Sequence, residues 1–129
     1  MSSLVFVYGT LKRGGANHPC LAGQRFLGAA RTAPGYRLFA LGDFPGMVAI
    51  AGDRSGVTGE VWQVDAACLA RLDDLEGLAE GLYRRERIAL LAPFDGKSVE
   101  TYIYARELNG ARDLGSTWTE PHARDREGR

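Results

Sequence analysis

Glu76 closes an amphipathic segment whose spacing places a carboxyl group among apolar side chains. Residues of an α-helix advance by about 100° each. Relative to Leu69, an apolar stripe is defined by Leu72 at about −60°, Cys68 at about −100° and Leu75 at about −120°. The side chain of Glu76 falls at about −20°, between Leu69 and Leu72. One interpretation is that the helix has ended by residue 76 and that the carboxylate reaches water. The other is a partly buried carboxyl group with a raised pKa, suited to accept and return a proton near neutral pH. The pattern makes Glu76 a candidate general acid/base and leaves both interpretations open.

The second candidate for chemistry is the Tyr-Gly-Thr-Leu-Lys-Arg-Gly segment at residues 8–14, which follows an apolar run directly. A glycine after a strand lets the backbone turn sharply and present amide groups to a ligand. Consecutive unpaired amides form a nest for a carboxylate or a developing oxyanion, and Thr10 adds a hydroxyl. The alternative is an ordinary glycine turn with a basic, solvated exit. The segment lacks the G-x-x-x-x-G-K-[ST] spacing of a phosphate loop.

Histidines and cysteines offer little for catalysis or metal binding. His18 and His122 are far apart, and no Cys/His cluster has metal-ligand spacing, so we expect no metal and no cofactor. Neither Cys20 nor Cys68 has a neighbouring base, which disfavours a thiol nucleophile. Two reduced thiols are the favoured interpretation, with a single disulfide as the alternative. Several aromatic residues are expected in the core or in pocket walls, namely Trp62, Tyr83, Tyr102, Tyr104 and Trp118.

Short strands separated by glycine turns must position these candidates, and the chain has 17 glycines. β-Branched and aromatic content and period-2 alternation predict strands. The predicted strands are residues 4–8, 36–41, 46–51, 59–64, 83–91 and 99–106, the last two forming an antiparallel pair. One helix is predicted over residues 66–75, with Asp65 as N-cap and Gly77 at its C-terminal end. The pattern indicates an α+β domain with a small mixed, mostly antiparallel, barrel-like sheet.

Length and charge limit the function classes. The chain has 129 residues, which suits one domain, expected over residues 1–119, with a disordered, charge-alternating tail at residues 120–129. Sixteen basic and sixteen acidic residues balance, which argues against nucleic-acid binding. The N-terminal apolar run is too short for a signal sequence, and no stretch approaches the ~20 apolar residues of a membrane span. We therefore expect a cytoplasmic protein, a monomer by preference, with a small-molecule partner, no nucleic acid and no membrane.

Five short motifs occur in order along the chain. They are Val-Phe-Val-Tyr-Gly-Thr-Leu-Lys-Arg-Gly at residues 5–14, Asn-His at 17–18, Gly-Glu-Val at 59–61, Leu-Asp-Asp-Leu-Glu-Gly at 72–77 and Leu-Tyr-Arg-Arg at 82–85. In this order they resemble the gamma-glutamylcyclotransferase-like superfamily, and within it the gamma-glutamylamine cyclotransferase branch. The resemblance covers about residues 4–106. It implies a small mixed barrel with flanking helices.

The resemblance also implies roles for individual residues. The backbone of the turn would hold the α-amino acid end of a γ-glutamyl group, and Glu76 would be the acid/base catalyst. The substrate-binding residues carried over are Tyr8, Gly9, Thr10, Leu11, Tyr83 and Tyr104, with a small insertion before Tyr83. Residues 115–118 are similar to a C-terminal segment of the family near its site. Residues 20–58 match no specificity signature, so the leaving amine stays open.

This chemistry needs no protein nucleophile. The α-amine of a γ-glutamyl amide can close a five-membered ring on the γ-carbonyl, releasing 5-oxoproline and a free amine, and one carboxyl group can move the protons. The main alternative is a non-catalytic small-molecule binding protein on the same scaffold. Two others are an enzyme acting on a different γ-glutamyl compound and, ranked last, a structural or interaction module.

Overall fold

The computed structural model describes residues 2–119. Its elements in chain order are β1 (Ser2–Val7), a 3₁₀ helix (His18–Leu21), β2 (Arg25–Arg31), β3 (Tyr36–Ala40), β4 (Pro45–Ala49), β5 (Thr58–Asp65), α1 (Ala66–Leu75), β6 (Tyr83–Arg87), β7 (Val99–Tyr104) and β8 (Asp113–Gly115). Neither helix of the described range is long and apolar enough to cross a bilayer. The tail predicted at residues 120–129 lies outside the described residues, so the domain limit at residue 119 stays a prediction.

The strands form two sheets, one of which curls until its edges meet. The larger has five strands in the order β2-β5-β1-β7-β6, and the smaller has three in the order β4-β3-β8. Among the described strand pairs only β1 and β7 run parallel. Just beyond β2 and β6, Thr32 and Leu90 form an antiparallel bridge, and the Leu91 amide donates to the Arg31 carbonyl at 2.9 Å. The predicted α+β class, with a mixed, mostly antiparallel, barrel-like sheet, is confirmed.

Each of the six predicted strands coincides with an observed one, and two observed strands were not predicted. The antiparallel β6–β7 pair is confirmed, although β6 ends at Arg87, four residues before the predicted limit at 91. The sequence of β2, Arg-Phe-Leu-Gly-Ala-Ala-Arg, has little β-propensity because of its glycine and alanines. Gly28 lies at a register shift in this strand, with φ +153°, and an added Cβ would lie 3.4 Å from the Phe94 ring. Strand β8 spans three residues, too few for a periodic pattern.

Helix α1 begins and ends at its predicted caps. The Asp65 carboxylate accepts a hydrogen bond from the Cys68 amide at 2.7 Å, and Gly77 follows the helix with φ +67°. Cys68 and Leu72 are buried, as their positions on the apolar stripe predict. Leu75 was expected on that stripe but is 40% exposed, because its side chain lies at the rim of a cavity rather than against the sheet.

The core consists of two clusters of buried side chains. Successive residues of β1 contribute to one cluster and then to the other, because their side chains point to opposite faces of the sheet. Phe6 belongs to a cluster that includes Leu38 of the smaller sheet, whereas Val5 belongs to one shared with helix α1. In the helix cluster, the Cys68 thiol donates to the Cys20 carbonyl oxygen at 3.6 Å, and both cysteines are free. Free thiols agree with the favoured interpretation of the cysteines. The helix cluster holds the end of α1 against the strands that carry the Tyr8–Leu11 turn.

Candidate active site

A cavity of about 440 Å³ opens between the end of β1, the β3–β4 turn, the end of α1 and the start of β6. Small-molecule sites typically have volumes of about 300–1,000 Å³. The described lining includes no lysine, arginine or histidine. Nor do residues 2–119 contain a group of three or more His, Cys, Asp or Glu side chains that could hold a metal ion. The lining residues are Phe6, Val7, Tyr8, Gly9, Thr10, Leu11, Ala16, Asn17, Asp43, Phe44, Pro45, Leu75, Glu76, Leu82, Tyr83 and Tyr102.

The turn after β1 forms one wall of this cavity and keeps backbone donors available. The amides of Gly9, Thr10 and Leu11 donate to no other group that the structure describes. Asn17 holds the turn in place, because its amide donates to the Thr10 carbonyl at 2.9 Å and its Nδ2 to Thr10 Oγ1 at 2.9 Å. A third bond, from the Lys12 amide to the Gly9 carbonyl at 3.1 Å, tightens the turn. Successive unpaired amides can hydrogen-bond an anion, which agrees with the predicted nest.

Gly9 is required here by a close approach. A Cβ at residue 9 would lie 2.7 Å from Cγ and 2.9 Å from Cδ of Pro45, closer than side chains tolerate. The φ of Gly9 is not positive, so space and not backbone conformation selects glycine. The Tyr83 hydroxyl donates to the Pro45 carbonyl at 2.7 Å, which ties the smaller sheet to the larger one. The close approach at Gly9 therefore lies where the two sheets meet.

Glu60 is a buried carboxylate that anchors the exit of the turn. The residue is 8% exposed, and its Oε1 accepts from the Arg13 amide and from Trp62 Nε1, each at 3.1 Å. Its Oε2 accepts from Arg13 Nε at 3.2 Å. The charge of Glu60 is thus offset by an arginine and satisfied by three hydrogen bonds. This arrangement fixes residue 13 against strand β5.

Glu76 lies directly after the last residue of α1, and its carboxyl group has different surroundings. Its amide still donates to the Leu72 carbonyl at 2.9 Å, although φ −83° and ψ 0° end the helix. The side chain keeps its helical direction and lines the cavity. Within residues 2–119 no group donates a hydrogen bond to its carboxylate. Burial raises the pKa of Glu76 from 4.5 to about 7, which agrees with the second interpretation of this residue.

Three tyrosine rings of the lining have hydroxyls that are engaged elsewhere. Their bonds are Tyr8 to the Tyr102 carbonyl at 2.6 Å, Tyr83 to the Pro45 carbonyl at 2.7 Å, and Tyr102 to Asp73 Oδ1 at 2.8 Å. Burial, chiefly, raises the pKa of each phenol well above its usual value, and the Glu76 carboxylate raises it further. These hydroxyls stay neutral; those of Tyr8 and Tyr83 hold backbone carbonyls, and that of Tyr102 holds the Asp73 carboxylate. The lining group whose pKa burial brings near neutrality is Glu76.

Most of the predicted site residues share this cavity, and Tyr104 does not line it. Those brought together are Tyr8, Gly9, Thr10, Leu11, Glu76 and Tyr83. The Tyr104 ring packs edge-on against Tyr83, with 5.5 Å between ring centroids and 68° between planes. Tyr102, two positions earlier on the same face of β7, lines the cavity instead. The alternation of β7 places both rings on one face of the strand, and of the two only Tyr102 lines the cavity.

Sequence reasoning did not assign several of the lining residues to the site. Asn17 is part of the Asn-His motif, but no pattern in the neighbouring sequence predicts its hydrogen bonds to Thr10. His18 opens the 3₁₀ helix, where its Nδ1 lies 3.1 Å from the Leu11 carbonyl oxygen; His122 is outside the described residues. Trp118 is buried in the core without lining the cavity, but its carbonyl accepts from Lys12 Nζ at 2.9 Å, so the C-terminal segment does contact the turn.

Comparison with known proteins gives consistent findings. Residues 5–120 match the sequence profile of the family described as "Gamma-glutamyl cyclotransferase, AIG2-like". The chain is 42% identical over 115 residues to a Vibrio cholerae protein that bears the provisional name of gamma-glutamylcyclotransferase, covering 89% of this chain and 95% of that one. It is 36% identical over 121 residues to the Homo sapiens gamma-glutamylaminecyclotransferase, covering 81% and 78%. The crystal structure of an AIG2-like protein from Mus musculus superimposes with a TM-score of 0.77 at 30% identity, covering 95% and 92%.

Proposed function

The chain belongs to the gamma-glutamyl cyclotransferase, AIG2-like family, and from this premise we propose that it is a gamma-glutamylamine cyclotransferase. Membership makes it a gamma-glutamylcyclotransferase-type enzyme that acts on small γ-glutamyl compounds. The proposal adds the amine branch, the products 5-oxoproline and a free amine, and the roles of named residues. A human relative named gamma-glutamylaminecyclotransferase, 36% identical, supports the branch.

One observation carries the mechanism: a partly buried carboxyl group, to which no described residue donates a hydrogen bond, shares a cavity with free backbone amides. The pKa of Glu76, raised by burial to about 7, lets the same group take a proton and return it at neutral pH. The amides of Gly9, Thr10 and Leu11 are available to hydrogen-bond the α-carboxylate of the substrate. Since no basic side chain lines the described cavity, these donors are the natural partners of that carboxylate.

In the proposed reaction a bond forms between the α-nitrogen and the γ-carbon, and the bond from the γ-carbon to the leaving nitrogen breaks. Glu76 takes a proton from the α-ammonium, which frees the lone pair for attack. It then returns that proton to the leaving nitrogen as the tetrahedral intermediate collapses. The attacking nitrogen gives up its second proton to the same carboxyl group as the ring closes, and the departing amine takes that proton from Glu76 and leaves as an ammonium. No electrons are exchanged and no co-reactant is consumed.

Binding the γ-glutamyl group in a bent conformation supplies much of the rate. Holding an intramolecular nucleophile near its target can contribute up to about 7–11 kcal/mol, and general acid/base catalysis adds typically about 10²–10⁴-fold. Amide donors near the γ-carbonyl would also stabilise the developing oxyanion. The turn is suited to orient the γ-glutamyl group because Asn17 holds Thr10 and Glu60 holds Arg13.

The test is 5-oxoproline release from a panel of γ-glutamyl-ε-lysine, γ-glutamyl-alanine and glutathione. We expect release by the purified protein and none above background by the Glu76→Gln variant. Asp74→Asn is the matched control, since Asp74 is exposed on the same helix and outside the cavity lining.

Two results would contradict the proposal. Folded protein that releases 5-oxoproline from none of the compounds would favour the binding-protein alternative. Release that persists in Glu76→Gln would remove this residue from proton transfer while leaving the reaction class in place.

A further inference from the structure

The Asp73 carboxylate joins the last turn of α1 to two strands of the larger sheet. Its Oδ1 accepts a hydrogen bond from the Tyr102 hydroxyl of β7 at 2.8 Å, and its Oδ2 accepts one from the Arg85 guanidinium of β6. Arg85 Nε also donates to Glu100 Oε1 at 3.2 Å, which holds the guanidinium in place. The Asp73 and Arg85 side chains are both mostly buried, which strengthens the ion pair relative to an exposed one. One carboxylate therefore links α1, β6 and β7.

These contacts hold the part of α1 that carries Glu76. Glu76 follows Asp73 by three positions, so the two side chains are neighbours on the helix surface. No described residue donates a hydrogen bond to the Glu76 carboxylate, so the backbone of the helix end sets where this group lies. Leu72 is the last buried residue of α1, since Leu75 is 40% exposed. Beyond Leu72, the side-chain bonds of Asp73 attach this end of the helix to the sheet.

Tyr102 extends this connection to the turn that follows β1. Its hydroxyl donates to Asp73, and its carbonyl accepts a hydrogen bond from the Tyr8 hydroxyl at 2.6 Å. Its ring lines the cavity, and Tyr8 begins the turn at residues 8–11. One residue of β7 thus holds both the helix end that carries Glu76 and the turn that is proposed to bind the substrate.

Two of the motifs found in the sequence meet at this carboxylate. Asp73 lies in Leu-Asp-Asp-Leu-Glu-Gly at residues 72–77, and Arg85 lies in Leu-Tyr-Arg-Arg at residues 82–85. Neither side chain is part of the described cavity lining. An effect of Asp73 on the reaction is therefore exerted through Glu76, the lining residue three positions along the same chain.

Resting on the proposed function, we propose that Asp73 is a positioning residue for Glu76. Its bonds to Arg85 and Tyr102 hold the Glu76 carboxyl group within reach of a γ-glutamyl group bound at the turn of residues 8–11, as proton transfer requires. The turn binds the substrate, and Asp73 aligns the group that moves the protons. Loss of the Asp73 contacts should therefore lower kcat with little change in KM, because binding at the turn is kept.

The test measures kcat and KM for 5-oxoproline release, with the compound of the panel that the unaltered protein converts fastest. Tyr102→Phe keeps the ring in the cavity wall and removes only the hydroxyl, so kcat should fall by about tenfold while KM stays within about twofold. Asp73→Asn turns an amide nitrogen toward one of its two donors, so kcat should fall by about 10–10²-fold. Asp74→Asn is the matched control and should keep wild-type values, because Asp74 is the exposed neighbour on the same helix and outside the cavity lining.

The pH profile of Tyr102→Phe distinguishes positioning from a loss of stability. Burial raises the pKa of Glu76 to about 7, so a loosened helix end lets this carboxyl group reach water and brings its pKa back toward 4.5. The acidic limb of kcat/KM should then move to lower pH by about one unit or more. A protein that is merely less stable keeps the wild-type limb at temperatures below its melting temperature. The other ionisable groups around Glu76 are retained in this variant, namely Asp43, Asp73, Tyr8, Tyr83 and Arg85.

The outcomes separate this inference from the function on which it rests. A wild-type kcat in both variants, a rise in KM in place of the fall in kcat, or an unmoved acidic limb in Tyr102→Phe would overturn the inference and leave the cyclotransferase reaction intact. If Asp73→Asn does not fold, Tyr102→Phe decides the question, since it retains both charges of the ion pair. If the unaltered protein releases 5-oxoproline from no γ-glutamyl compound, the proposed function fails and the inference with it.

Discussion

Glu60 and Glu76 are two glutamates near one turn, and their surroundings are opposite. Glu60 accepts three hydrogen bonds from Arg13 and Trp62. Glu76 receives none from the described residues, and burial raises its pKa to about 7. Hydrogen-bond donors hold a carboxylate in place and stabilise the structure around it, whereas a partly buried carboxyl group without such donors exchanges protons near neutral pH. The comparison shows that partners, not residue type or burial alone, separate a positioning residue from a proposed catalyst.

The largest effect is expected from Glu76→Gln. Glutamine keeps the size of the side chain but cannot shuttle protons, so kcat for 5-oxoproline release should fall by about 10²–10⁴-fold. The melting temperature should not fall, since no described hydrogen bond to the carboxylate is lost. Steady-state kinetics and thermal unfolding on the same preparation measure both. A variant that unfolds instead would show that Glu76 is structural, like Glu60.

The pH dependence of stability sharpens the contrast. The pKa of Glu76 is raised from 4.5 to about 7 in the folded state, so between these values the folded protein binds more protons than the unfolded chain. Its unfolding free energy should therefore decrease as pH rises through this window, relative to Glu76→Gln, by up to about 3 kcal/mol. Urea unfolding of both proteins at pH 5 and pH 8 measures the difference. If the two proteins differed in unfolding free energy by the same amount at pH 5 and at pH 8, the raised pKa would be contradicted.

Glu60→Gln should affect binding and stability more than chemistry. The amide places a donor against Arg13 or Trp62, so we expect a loss of about 1–3 kcal/mol in unfolding free energy. The loosened turn should raise KM by about tenfold, with a smaller change in kcat. Glu86→Gln is the control, because Glu86 is half exposed and, among residues 2–119, pairs only with Arg84 on the surface. A kcat loss in Glu60→Gln as large as that in Glu76→Gln would contradict the assignment of Glu60 as a positioning residue.

The smallest effect is expected from Gly9→Ala, in the turn whose exit Glu60 anchors. Gly9→Ala forces a Cβ against the Pro45 ring, so the unfolding free energy should fall by about 1–2 kcal/mol and KM should rise. Pro45→Ala removes the ring atoms and should recover part of the loss, giving a coupling energy of about 0.5 kcal/mol or more. Chemical denaturation of the two single variants and the double variant gives the unfolding free energies for this double-mutant cycle. Strict additivity would mean that the close approach does not select glycine at residue 9.

Local patterns predicted most of the elements. The apolar run of β1, the alternation of β5 and the caps Asp65 and Gly77 are signals contained within a few residues, and each is confirmed. Strand β2 was missed because its pairing with β5 overrides a weak local propensity. The same limit applies to the proposed site: the turn and Glu76 were singled out by local pattern, while Asn17 and Tyr102 were not.

The sequence by itself determined the family, the helix with its caps and the glycine turn, because periodicity, capping and ordered motifs are local properties of the chain. Tertiary structure alone decided that Glu76 is partly buried without a hydrogen-bond partner among the described residues, that Glu60 meets Arg13 across 47 residues, and that Tyr102 lines the cavity in place of Tyr104. These facts depend on which side chains meet after the sheets close. The electrostatics of a carboxyl group follow from such long-range neighbours, and no spacing rule within one segment specifies them.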